Sequence, residues 1–309
     1  MKPVILIFGP TASGKTTLSL HLAHKFGGEI ISADSMQIYR NMDIGTAKAS
    51  PAERAEIPHH MIDICDVSEH YSAAQYRQDA LRKIREIHAR GKLPFVVGGT
   101  GLYFDALLHE PNYGETKTNP KIRAKLQEEL ALRGCYDMHA KLADIDPISA
   151  ERIHPNDEKR IIRALEIYTS TNKRPSELLE RKPNTEFSFL SFYLKHESRS
   201  DLYDACNRRV IEMIDDGLVD EVAKLFQCGL KETPTASQAI GYKEFIDYHA
   251  GNATLSDTIL LIQQRTRNYA KRQITWFSKM NAIHLPAGNH ECFDLAEKYT
   301  ADFLKGASC

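Results

Sequence analysis

The stretch Val4-Ile5-Leu6-Ile7-Phe8-Gly9-Pro10-Thr11-Ala12-Ser13-Gly14-Lys15-Thr16 decides the fold. Its first five residues are continuously apolar and β-rich, the pattern of a strand buried on both faces. The next eight match G-x-x-x-x-G-K-[ST] and run into a helical pattern over residues 15–26. Strand before and helix after turn the string into a mechanism. The glycines let successive backbone N–H groups face a concave site, the helix N-terminus adds partial positive charge, and Lys15 reaches terminal phosphate oxygens. Gly9, Pro10, Thr11, Ala12, Ser13, Gly14, Lys15 and Thr16 are therefore the expected cradle of a di- or triphosphate, with Thr16 placed to hold Mg²⁺. The pattern does not say which phosphate compound binds or what reaction follows.

Outward from this loop, strand and helix alternate. Residues 29–33 and 94–97 read as further buried strands. Between them, Ser72-Ala73-Ala74-Gln75 has the form of a capping box opening a helix that Gly91 stops. Strands separated by helices of this length predict a parallel sheet covered on both faces. From about 116 to 183 the strand signal vanishes. Ile122, Leu126, Leu130 and Leu132 are spaced for an amphipathic helix, and residues 160–168 suggest another. A strand returns at 187–194, followed by helices over 202–225, 237–249 and 256–279 and a short strand at 283–285. The expected fold is thus α/β: a P-loop NTPase-like parallel sheet flanked by helices, with an inserted all-helical domain. The core would comprise residues 1–115 and 187–309, and the insertion residues 116–186.

Composition narrows the class. The 309 residues carry 40 Lys and Arg against 41 Asp and Glu, a net charge of −1, with 42% apolar residues, which excludes disorder and collagen-like repetition. No apolar run approaches the roughly 20 residues of a membrane span, and the N-terminal run is too short for a secretory signal, so a cytoplasmic protein is expected. The six cysteines are scattered without zinc spacing, and reduced thiols are the plain reading. Any cationic face must be local. Residues 263–279 provide one, with Arg265, Arg267, Lys271, Arg272 and Lys279, no acid, and Tyr269, Trp276 and Phe277 interleaved. Such a helix suits RNA phosphates and unpaired bases, or else is a solvated face whose rings pack inward.

Nucleotide kinases and NTPases place a second carboxylate at the end of a later apolar strand. Here that strand ends Gly98-Gly99-Thr100-Gly101, with no acid, which weighs against ordinary ATP chemistry. The first acid at a strand end is Asp34. It suits a general base, a group supporting Mg²⁺ indirectly, or a helix cap.

In order along the chain come the phosphate loop, Asp34-Ser35-Met36-Gln37-Ile38-Tyr39-Arg40, Gly45-Thr46-Ala47-Lys48, Pro58-His59-His60-Met61-Ile62-Asp63, Gly98-Gly99-Thr100-Gly101-Leu102-Tyr103 and Ile240-Gly241-Tyr242. Together, from the first strand to Trp276, they resemble the tRNA dimethylallyltransferase family (tRNA isopentenyltransferases). One departure is Asn172, where the family usually carries Gly. The zinc finger of eukaryotic members has no counterpart after Trp276, which implies the bacterial form.

The resemblance implies transfer of a dimethylallyl group from dimethylallyl diphosphate to N6 of adenosine 37 in tRNAs that read codons beginning with U. It also explains the missing acid, since the loop would grip a diphosphate leaving group and no γ-phosphate would move. Asp34 would be the general base. Lys15, Arg209 and Thr16-bound Mg²⁺ would neutralise the departing diphosphate, and Thr100 would lie near the reacting centre. The adenosine must leave its stack to react. Asp34, Ser35, Met36 and Gln37 would meet the flipped base, Gln37 through its amide. Gln238, Gly241, Tyr242 and Lys243 would read neighbouring nucleotides. Arg123 and Lys159-Arg160-Ile161-Ile162-Arg163 would contact the anticodon stem, and Lys271, Arg272, Gln273 and Trp276 would add contacts from the basic helix. The partners implied are tRNA through its anticodon stem-loop and dimethylallyl diphosphate, with no membrane, and the protein itself would be a monomer. The competing classes are a P-loop kinase or NTPase and a non-catalytic RNA-binding protein.

Overall fold

Alternate residues of the first strand serve two different cores. In the computed structural model, which describes residues 1–110, 119–179, 182–233 and 235–307, β1 (Lys2–Phe8) is the fourth strand of six. Val4, Leu6 and Phe8 enter one apolar cluster, and Ile5 and Ile7 enter another on the opposite face. A period of two with both faces covered makes the run continuously apolar rather than alternating.

The chain then forms α1 (Lys15–Phe26), β2 (Gly28–Ser32), α2 (Pro51–Glu56), β3 (His59–His60), α3 (Ala73–Ala89), β4 (Leu93–Gly98) and α4 (Gly101–Leu108). The Ser72/Gln75 capping box is formed, with both reciprocal bonds present. After β5 (His109–Glu110), α5 (Pro120–Ile145), α6 (Pro147–Arg152), α7 (Glu158–Thr171) and β6 (Lys182–Pro183), the main sheet is rejoined by β7 (Phe187–Lys195). There follow α8 (Arg199–Asp215), α9 (Leu218–Gln227), α10 (Phe245–His249), α11 (Leu255–Phe277), β8 (Ile283–Pro286) and α12 (Glu291–Ala307). The sheet order is β3-β2-β4-β1-β7-β8, and every pairing is parallel. One face packs on α3, α4 and Phe277 of α11, whose ring stacks 4.8 Å from Phe8. The other packs on α1 and α12.

Two compact units result: Met1–Leu108 with Asn184–Cys309, and His109–Pro183. The second has its own core of Leu126, Met138, Leu142, Ile161, Ile162 and Leu165. Leu132 does not join it. It is 86% exposed, because it sits two residues beyond Leu130, off the stripe set by Ile122 and Leu126, just before α5 breaks at Gly134 (φ 80°, ψ 169°).

Three other expectations are corrected. Residues 202–225 form two helices, since Gly217 takes a left-handed conformation (φ 100°) between α8 and α9. Over 237–249 only Phe245–His249 is α-helical, because Gly241 (φ 89°) turns the chain before it. The C-terminal helix α12 was not expected, although Cys292, Ala296 and Thr300 repeat every four residues and are all buried. Asn172, where the related pattern has Gly, is the left-handed cap of α7 (φ 54°, ψ 21°), a conformation Asn tolerates better than most residues. Among the described residues no helix is long and apolar enough to cross a membrane. Cys65, Cys135, Cys206, Cys228 and Cys292 are free thiols, and Cys309 lies outside the described residues.

Candidate active site

The phosphate loop leaves β1 where backbones are closely packed: a Cβ on Gly9 would lie 2.7 Å from the Leu194 carbonyl oxygen. Ala12 (φ 61°) and Gly14 (φ 80°) take left-handed conformations that curl the loop. For Ala12 this is a strained choice, and His196 Nε2 donates to its carbonyl at 3.1 Å. Lys15 Nζ folds back onto the Pro10 carbonyl at 2.6 Å.

Burial, then the nearby Arg209 guanidinium, push the Lys15 ammonium down to about 7, against a smaller upward pull from Asp34. Burial likewise lowers Arg209, whose Nε is buried without a hydrogen-bond partner. Two neighbouring cations, of which Arg209 disfavours the charge on Lys15 and itself carries an orphaned donor, define an anion site.

Mg²⁺, which the sequence resemblance implies, can be tested on the donor set. Among the described residues no group of three His, Cys, Asp or Glu side chains could cage a metal. Thr16, exposed at the start of α1, lines the same cavity as Asp34. That set fits an ion whose shell is completed by diphosphate oxygens and water.

The end of β4 explains why no acid stands there. A Cβ on Gly98 would lie 2.2 Å from the Ala33 carbonyl oxygen, one on Gly99 2.3 Å from Gln273 Nε2, and one on Gly101 2.3 Å from the Trp276 ring. These glycines let β2 and α11 close on the strand end. Thr100 Oγ1 accepts from the Ser35 N–H (3.0 Å). Asp34 Oδ1 accepts from the N–H groups of Met36 (2.8 Å) and, more weakly, Gln37 (3.4 Å). Residues 35–38 form turns and no helix begins there, so Asp34 is not the helix cap expected as one alternative; its two bonds make an Asx-type turn that fixes the carboxylate.

Asp34 lies between two cavities. One, of about 230 Å³, contains the loop from Thr11 to Thr17 with Ser32, Gln37 and Gly99. The other, of about 240 Å³, is lined by Met36, Val210, Met213, Ile240, Ile262 and Lys243 among others. Thr11, Asp34, Thr46, Arg209 and Tyr269 line both.

Several expected RNA contacts are placed otherwise. The Gln37 amide is fully engaged: Oε1 accepts from Ser32 Oγ (2.8 Å) and Nε2 donates to the Thr46 and Ala47 carbonyls (3.1 and 3.2 Å), so it is not free to read a base. Tyr242 is fully buried and donates to Glu221 Oε1 (2.7 Å). Ile161 and Ile162 lie in the insertion core. Phe277 is buried against Phe8, and Tyr269 lines the cavities rather than an outer face. Gln273 is 5% exposed and bonded to the phosphate loop. Ser35, Met36, Gln238, Gly241 and Lys243 do line the second cavity or, with Lys271, Arg272 and Trp276, remain at least partly exposed. On the insertion, Lys159 and Arg160 are exposed, while Arg123 and Arg163 both bind the buried carboxylate of Glu166 (2.7 and 2.9 Å).

Glu221 gave no signal in the sequence. Its carboxylate accepts from the N–H groups of Asp43, Ile44 and Gly45 (3.0, 2.8 and 3.1 Å), holding the loop that supplies Thr46 to both cavities. These three N–H groups lie some 177 residues away, so no local pattern could reveal them.

A parallel sheet, a phosphate loop lacking an ATPase carboxylate, and a second cavity sharing a wall with it define a P-loop α/β protein that joins a phosphorylated donor to another substrate. A family profile described as IPP transferase matches residues 37–280. The tRNA dimethylallyltransferase of Carboxydothermus hydrogenoformans is 46% identical over 277 residues, covering 89% of each chain. Among solved structures, the tRNA isopentenylpyrophosphate transferase of Bacillus halodurans is 40% identical with a TM-score of 0.72, covering 100% of this chain and 98% of that one. A eukaryotic dimethylallyltransferase acting on tRNA is 33% identical with a TM-score of 0.85, covering 99% of this chain and 80% of that one. This chain belongs to the IPP transferase family.

Proposed function

We infer that the chain is a tRNA dimethylallyltransferase, moving the dimethylallyl group of dimethylallyl diphosphate to N6 of adenosine 37 in tRNAs that read codons beginning with U. The observation that carries this reading is the shared wall: Asp34 and Arg209 border both the phosphate-loop cavity and its neighbour. The donor diphosphate lies along the loop N–H groups with Lys15 and Arg209. The extruded adenine enters the second cavity beside Ser35 and Met36.

The adenine amine is a weak nucleophile because its lone pair is delocalised into the ring. As N6 bonds to the allylic C1, the C1–O bond breaks, its electron pair leaves with the diphosphate, and a proton on N6 must be removed. Asp34 takes that proton; its Oδ1 is held by the Met36 N–H, which aims the carboxylate. Lys15 and Arg209 meet the charge that grows on the leaving oxygen. Thr16 and the diphosphate oxygens would hold Mg²⁺, which supplies additional charge neutralisation. Thr100 supports the step through Ser35, the residue next to the base.

The basic face of α11, with Lys271, Arg272 and the half-exposed Trp276, and Lys159, Arg160, Arg123 and Arg163 of the insertion, are assigned to tRNA phosphates and loop bases. The insertion would serve as the clamp on the stem. Labelled dimethylallyl diphosphate, Mg²⁺ and unmodified tRNA test the reading directly: label should enter the RNA, and ATP should not be hydrolysed. Asp34→Ala should lower single-turnover prenylation at saturating tRNA by roughly 10²–10⁴ while leaving pyrophosphate binding nearly intact. A loss of only a few-fold removes Asp34 from the role.

A further inference from the structure

Gln273 lies on α11, the helix whose outer face is basic, yet its side chain points the other way. It is 5% exposed, its Oε1 accepts from the Thr11 N–H at 2.8 Å, and its Nε2 donates to the Gly99 carbonyl at 2.9 Å. The two partners are the first turn of the phosphate loop and the glycine end of β4. Between them the site has no room to spare, since a Cβ on Gly99 would come within 2.3 Å of Gln273 Nε2. A carboxamide carries its acceptor and its donor on separate terminal atoms, so it can accept from one backbone N–H and donate to a different backbone carbonyl at once. Thr11 also lines both cavities, so its position sets the boundary between them.

We propose that Gln273 is a positioning residue of the donor site, holding the phosphate loop against the end of β4 in the shape that receives a diphosphate, and not an RNA contact. The proposal rests on the reading of the loop as the dimethylallyl diphosphate site. It follows that the Thr11 N–H is satisfied within the protein and that the diphosphate is gripped by the later N–H groups of the loop, Lys15 and Arg209. Basic residues on the outer face of the same helix serve RNA, so one helix carries both functions on opposite sides.

Gln273→Met keeps length and helix propensity and removes both hydrogen bonds. Calorimetry with pyrophosphate and Mg²⁺, without RNA, should show about tenfold weaker binding than the wild type. The KM for dimethylallyl diphosphate should rise in parallel, and the KM for tRNA should stay within about twofold. A raised tRNA KM with unchanged pyrophosphate affinity overturns the assignment, as does unchanged or tighter pyrophosphate binding. If the variant does not fold, hydrogen exchange at the Thr11 amide of the wild type decides. Protection both with and without pyrophosphate supports the proposal; protection only with pyrophosphate refutes it. A wild-type protein that binds no pyrophosphate would instead defeat the donor-site reading itself.

Discussion

Each unit of this molecule brings two cations close together, and the two units treat them in opposite ways. In the insertion, Arg123 and Arg163 share Glu166, whose side chain is fully buried and also accepts from the Asn119 N–H at 2.9 Å. Burial alone would raise the Glu166 pKa, but the bonds from Arg163, Arg123 and Asn119 outweigh it and hold it below the usual carboxylate range. In the core, no carboxylate among the described residues lies at bonding distance of Lys15 or Arg209. Asp34 attracts both from farther off, and each is held below its ordinary pKa, chiefly by burial. The insertion presents a pair gathered and aimed by one carboxylate, which leaves net positive charge on display. The core presents an uncompensated charge that only an incoming anion can settle. On the proposed function, a site that binds and then releases a diphosphate gains from cations without a bonded carboxylate, whereas a surface that holds a shape for a large RNA gains from cations fixed in place.

If that contrast is right, removing a cation should have opposite consequences for activity and stability in the core. Arg209→Met should lower turnover by roughly 10²–10³, the usual loss when one donor to developing negative charge is removed. Its melting temperature should match or exceed that of the wild type, because an orphaned, buried charge has been taken away. Single-turnover kinetics and calorimetric melting of the same preparation provide the check. A melting temperature several degrees lower would mean that Arg209 is already compensated in the free protein.

In the insertion the expected order is reversed. Glu166→Gln keeps an acceptor for Asn119 but removes the charge that gathers the two arginines. The arginine side chains are 39% and 33% exposed, so solvent screens part of the loss. The variant should melt a few degrees lower and raise the KM for tRNA about tenfold, leaving pyrophosphate affinity unchanged. Because the Glu166 pKa is depressed on folding, its stabilisation is complete above the unfolded carboxylate range and is lost as pH falls through the folded value. Equal KM values for tRNA in variant and wild type would separate the arginine pair from RNA binding.

What the sequence made legible follows the same division between local and distant. The phosphate loop could be read residue by residue because its spacing, flanking strand and helix are all local. The helical insertion was recognisable from a change of period, and the left-handed cap at Asn172 fits a position where glycine would serve. The clamps were hidden. Gln273 reaches Thr11 across 262 residues, and Glu221 reaches Gly45 across 176. Nothing in the order of residues around either carboxamide or carboxylate announces such a partner. Aromatic residues misled for a related reason. Tyr242 and Phe277 sit in strings suggestive of RNA contact, but whether a ring faces RNA or the core depends on which side of a helix or turn the sheet lies, as Phe8 shows for Phe277. The glycines at 98, 99 and 101 were informative as the absence of an acid, while their physical cause, three close approaches of backbone or side chain, emerges only in three dimensions.

The smallest effect is the most direct measure of the core's uncompensated charge. With the Lys15 ammonium near 7 in the free protein, about half of the molecules at neutral pH carry it uncharged. A bound diphosphate favours the charged form and returns the pKa toward its ordinary value, so binding must take up a proton. Affinity is therefore greatest below pH 7, where the lysine is already charged, and declines as pH rises. The decline from this group between pH 7 and 8 is about fivefold for a pKa of about 7. Titrating dimethylallyl diphosphate at pH 7.5 in two buffers of different ionisation enthalpy reports the proton count. It should lie between about one-half and one per site, fall toward zero below pH 6, and be absent in Lys15→Met. In Arg209→Met the count should shrink, because the cation that helps to depress Lys15 has gone. Proton uptake that persists unchanged in Lys15→Met would assign the linkage to the ligand or another group. The lysine would then be fully charged beforehand, and the contrast between an unsettled core and a settled insertion would rest on Arg209 alone.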